Sequence, residues 1–130
     1  MRTVEKLIPW AIEAVSESKM EDEKKKGVVN KAYKGYISSL GAGIIQSGLL
    51  PTLAMYKGNE DSDKKKANPG RLLKAIFYVI KEHHKPVEIQ GDDLFKYALD
   101  AEDQEKVKKE ILDASIAIKL AIRTFKLEDL

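Results

Sequence analysis

At 130 residues the chain can bury one hydrophobic core but not two, so it reads as a single domain over 1–130. Apolar residues at 43% and charged residues at 34% describe a folded protein with a heavily solvated surface, not a disordered one. The net charge of +2 conceals 23 basic and 21 acidic side chains, so only local clustering can mark a nucleic-acid surface. The absence of cysteine excludes disulfides, thiolate metal sites and Cys nucleophiles, and fits a reducing cytoplasm.

The opening stretch, MRTVEKLIPWAIEAV, is interrupted by Glu5 and Lys6 and has no long apolar core, so it does not read as a signal peptide. Val4, Leu7, Ile8, Ala11 and Val15 predict an amphipathic helix from about Thr3 to Ser18, with Thr3 as its cap. Pro9 predicts a kink or a late start near Ile8. Trp10 falls outside the apolar stripe, at its edge or facing a partner.

Lys19 to Lys26, KMEDEKKK, is an exposed turn or the solvated start of the next helix. That helix carries Ala32, Tyr33, Tyr36, Ile37, Leu40 and Ile44 on one face. If it begins early enough, Lys24, Lys31 and Lys34 share another face. Gly48 sits where a helix end favours a left-handed residue, and Pro51 suits the first turn of a short helix reaching Tyr56. From Gly35 to Tyr56 no residue is charged. The length approaches a membrane span, but Gly41, Gly43 and Gly48, a proline and several polar side chains point to a buried helix, a break and a second helix.

Gly58 to Ala67 is a polar loop. Asn68 and Pro69 open a helix whose Leu72, Leu73, Ile76, Phe77 and Ile80 face inward, and Pro86 ends it. Pro86 to Gln90 could be extended but has no partner strand. Asp92 or Asp93 caps a short helix holding Leu94, Phe95, Ala98 and Leu99. The last and longest helix starts at Asp100. It places Val107, Ile111, Ala114, Ile118, Ala121 and Phe125 on one stripe, with Lys119, Arg123 and Lys126 beside it. Nothing alternates with period two for long enough to make a sheet. The fold class is all-α, one bundle of about six helices.

Gly41 to Gly48, GAGIIQSG, resembles a dinucleotide loop only superficially. Gln46 replaces the third glycine, and no parallel sheet exists to hold it. His83 and His84 are adjacent, so on a helix they diverge by about 100° and share a metal poorly. The acids, among them Glu60, Asp61, Asp63, Asp92, Asp93, Glu102 and Asp103, fall at caps and in loops without a calcium-loop pattern. No convergent catalytic set emerges, so the chain reads as a non-enzyme without metal or cofactor. Several lysine clusters remain: Lys24–Lys26 with Lys31 and Lys34, Lys64–Lys66, and Lys119 with Arg123 and Lys126. With interspersed tyrosines they suit a phosphate-backbone groove.

The central stretch, tyrosines and Leu40 on a helix and then GAGIIQSGLLPTLAMY, resembles the small subunit of the Cmr (type III-B) CRISPR RNA-silencing complex. That family shows a pattern like LPxLIxxxGLxxxLAF, which Leu40, Ile44, Ile45, Gly48, Leu49, Leu53 and Ala54 match before Met55 and Tyr56. Gly41 replaces the family's usual proline, and the family's tryptophan near the last helix's end is absent. The resemblance implies a non-catalytic helical subunit that stacks in the inner filament with copies of itself and other Cmr subunits. It further implies contact with the backbones of guide RNA and target RNA, without base reading. On that reading Lys24, Lys31, Lys34, Arg123 and Lys126 are the phosphate contacts. The alternatives are a helical protein-interaction adaptor with no nucleic-acid role and the equivalent small subunit of the Csm (type III-A) complex.

Overall fold

A computed structural model describes residues 3–58 and 67–130. The predicted polar loop and its Lys64–Lys66 cluster lie almost wholly outside these residues. Helix α1, Thr3–Glu17, buries Leu7, Ala11, Ala14 and Val15. It does not start late: Pro9 lies within it, with its ring exposed, so the carbonyl left without a helical donor can be solvated. Thr3 lies within the helix and is not its cap. Trp10 is half-buried and meets the His83 ring edge-on, centroids 5.7 Å apart.

α2, Ala32–Ser47, buries Tyr33, Ile37, Leu40 and Ile44, the expected stripe. It ends at Gly48, whose φ of +97° turns the chain, and α3, Leu49–Lys57, begins at once. Pro51 lies in the first turn of α3 as expected, although the helix starts two residues before it. Tyr56 fixes the hairpin by donating its hydroxyl to the Tyr36 carbonyl at 2.7 Å, and buried Tyr33 ties α2 to the next segment by accepting from the Asn68 amide at 3.1 Å. Burial holds the Tyr33 and Tyr56 hydroxyls above the ordinary phenol range. These tyrosines therefore serve packing and do not line a phosphate groove.

α4, Pro69–His84, opens as the sequence predicts, with the Asn68 side chain accepting from Gly70 N at 2.8 Å. α5, Leu94–Leu99, is capped by Asp93. α6, Gln104–Ile122, is capped by Asp103, whose carboxylate accepts from Lys106 N at 3.1 Å. Asp100, expected to start that helix, instead ends α5. α1 packs on α6 and α4, while α3 packs on α2, α4 and α5 around one continuous core.

The architecture is helical, six helices among the described residues, with one element the hydrophobic pattern did not announce. Val28–Asn30 (β1) and Lys126–Glu128 (β2) pair in parallel, Val28 opposite Lys126, Val29 opposite Leu127 and Asn30 opposite Glu128. Phe125 and Lys126, expected on the last helix, lie beyond its end.

A basic corner as the candidate nucleic-acid interface

The ribbon gathers the basic residues because it is parallel, so both strands enter at one end and leave at the other. At the entry end, residues 22–27 form a tight turn. Asp22 accepts the Lys24 and Lys25 amides at 3.1 and 2.9 Å, an Asx-type closure. Glu21 takes the Ser16 hydroxyl at 2.7 Å and the Gly27 amide at 2.6 Å, which hold its carboxyl below the usual range. Gly27, at φ +80°, completes the reversal. The turn leaves Lys24, Lys25 and Lys26 exposed. Alongside it, α6 ends at exposed Arg123, and Lys126 N donates to Gly27 O at 2.8 Å.

At the exit end, Asn30 accepts the Ala32 amide at 2.9 Å and so starts α2. Lys31 N donates to Glu128 O at 2.9 Å, securing the second strand. A shallow groove of ≈ 570 Å³ opens here, lined by Asn30, Lys31, Ala32, Lys34, Gly35, Ser38 and Asp129. A three-residue strand is about 10 Å long, which sets the scale separating the two ends.

Of the five predicted contacts, Lys31 and Lys34 share the groove, and Lys126 is joined to it through the ribbon. Lys24 is not on the α2 face as expected. It sits in the turn before β1, because α2 starts only at Ala32. Arg123 stands where α6 gives way to β2. Glu128 lies between Lys25 and Lys126, 3.5 and 3.3 Å from their ammonium groups, and these bonds, led by Lys126, keep its carboxyl below the usual range. Lys24, Lys26, Lys31, Lys34 and Arg123 form no ion pair among the described residues. Asp129, within the groove, carried no sequence signal. Only the fold brings it beside Lys31.

A second hollow, of ≈ 250 Å³, lies at the far end of α6 over Leu7, Val79 and Ile80. There His84 meets Glu110 at 2.5 Å, and Glu110 also accepts from the Tyr97 hydroxyl at 2.9 Å. Glu110 therefore ties α4 and α5 to α6. Among the described residues no group of three or more His, Cys, Asp or Glu side chains converges as a metal site. No helix there is long and apolar enough to cross a membrane.

These features define a class: a small helical protein with a short parallel ribbon that brings several lysines and Arg123 to one corner. The family model for CRISPR-associated protein (Cas_Cmr5) matches residues 7–121, nearly the whole chain. The chain belongs to that family, and is a small CRISPR-associated subunit of the Cmr (type III-B) kind that associates with other Cmr subunits. Neither the curated proteins nor the solved structures compared with it gave a match.

Proposed function

We propose that the chain is a non-catalytic subunit of the Cmr complex that stacks in the inner filament and holds RNA by its phosphate backbone. The observation that carries this reading is the groove where Lys31 and Lys34 stand at the start of α2, continued by Lys24–Lys26, Arg123 and Lys126 across the ribbon. α2 has no acid in its first turn, so its positive end adds to the attraction for an anion even though Asn30 takes its first amide. No aromatic ring lines the groove, which fits contact with phosphate and sugar without base stacking.

Protein contacts fall to a different face. Ile45 on α2 and Met55 on α3 are 74% and 72% exposed in a stretch without charge. Such side chains suit the apolar centre of a contact with another subunit or a second copy.

The test is charge reversal in the assembled complex. Lys31→Glu with Lys34→Glu should sharply reduce RNA retention, whereas reversing exposed Lys6 and Lys74 on α1 and α4 should not. Equal retention by both double variants would overturn the assignment.

A further inference from the structure

We propose that Asp129 makes the basic groove selective for ribose over deoxyribose by accepting a hydrogen bond from a 2′-hydroxyl. The inference rests on the groove being a backbone site. Asp129 follows β2 directly and lines the groove with Lys31 and Lys34, yet pairs with neither among the described residues. Its neighbour Glu128, by contrast, is engaged with both Lys25 and Lys126.

An ionised carboxylate can only accept. It repels the phosphates of DNA and RNA alike, and neither a phosphate diester nor a deoxyribose offers it a proton. The 2′-hydroxyl is the one backbone donor found in RNA and absent from DNA. Among the residues lining the groove Asp129 is the one anionic acceptor; Asn30 Oδ1 already accepts from Ala32 N, and Ser38 donates its proton to Lys34 O at 3.2 Å, leaving only a neutral hydroxyl oxygen. Gly35 leaves open space where a Cβ would stand, so a sugar can come close to the α2 backbone. The lysines thus attract any polyanion, and Asp129 penalises the one that brings no donor.

A purely structural role competes with this. An acid beside the start of α2 is favourable to a helix that has none in its first turn. The experiment separates the two by measuring retention by the full chain, at low salt, of one single-stranded sequence made as RNA, DNA and 2′-O-methyl RNA. The last keeps the oxygen but lacks the proton.

Wild type should favour RNA over both others by roughly five- to tenfold, the scale of one hydrogen bond to a charged group near the surface. Asp129→Ala should bring the three close together, mainly by tightening DNA and 2′-O-methyl RNA as a negative charge leaves the groove. Asp129→Asn, which keeps an acceptor oxygen, should retain part of the preference. A lowered melting temperature in Asp129→Ala with the preference intact would assign Asp129 to helix stability and overturn the inference. Equal binding of all three by wild type would also overturn it while leaving the groove standing as a backbone site. Failure to bind any of them, with Lys31→Glu and Lys34→Glu no different, would remove the backbone reading as well.

Discussion

A Cβ on Gly43 would stand 3.0 Å from Thr52 Cγ2 and 3.1 Å from its hydroxyl oxygen. Thr52 has little room to yield, because it is buried and its hydroxyl donates to the Gly48 carbonyl at 2.8 Å. The helix-propensity gain of alanine, about 1 kcal/mol, is therefore outweighed by overpacking of about 1–3 kcal/mol. Gly43→Ala should destabilise the chain in urea unfolding, whereas Gly41→Ala, facing open space, should stabilise it by up to about 1 kcal/mol. Glu21 provides the second residue-scale prediction. The Ser16 hydroxyl and Gly27 amide hold its folded pKa below that of an ordinary glutamate, so its contribution is present above the unfolded pKa and is lost as pH falls through the folded one. Glu21→Gln should cost about 1 kcal/mol at pH 7, and the melting-temperature gap to wild type should close in acid below that range.

At the scale of elements, the helices were legible because each carries enough turns for its stripe to repeat. Tyr33, Ile37, Leu40 and Ile44 are all buried as their spacing predicts, and Asn68 and Asp93 cap as their side chains suggest. The ribbon was not legible. Three residues per strand give no period to detect, and its partners stand nearly a hundred positions apart in the chain. That is also why sequence spacing alone puts Lys24 and Lys126 on helix faces: the charge clusters are visible in sequence, but the turn and strands that aim them are tertiary products. Asp103, rather than Asp100, starts α6, because the chain spends Asp100 on closing α5. Val29 is fully buried and sits opposite Leu127, so it anchors the ribbon. Val29→Ala should lower stability by about 2 kcal/mol and speed hydrogen exchange at the Lys31 and Lys126 amides, both bonded across the ribbon.

For the whole molecule, the fold separates two surfaces. The charge-free α2–α3 stretch, conspicuous in sequence, supplies both core and an exposed apolar pair, and the basic corner lies at the N-terminal end of the same α2. Ile45→Glu should therefore reduce incorporation into the Cmr complex, measured by co-purification. It should leave the free chain's stability within about 0.5 kcal/mol, as for other exposed positions. Loss at the corner should have the opposite profile, with normal incorporation and weakened RNA. The most direct measurement of that claim is the salt dependence of RNA affinity for complexes carrying Lys31→Ala, Lys34→Ala and the two together. Each lost phosphate contact should reduce the slope of log K against log salt by about 0.7, the two losses adding. A slope unchanged from wild type in the double variant would contradict the account.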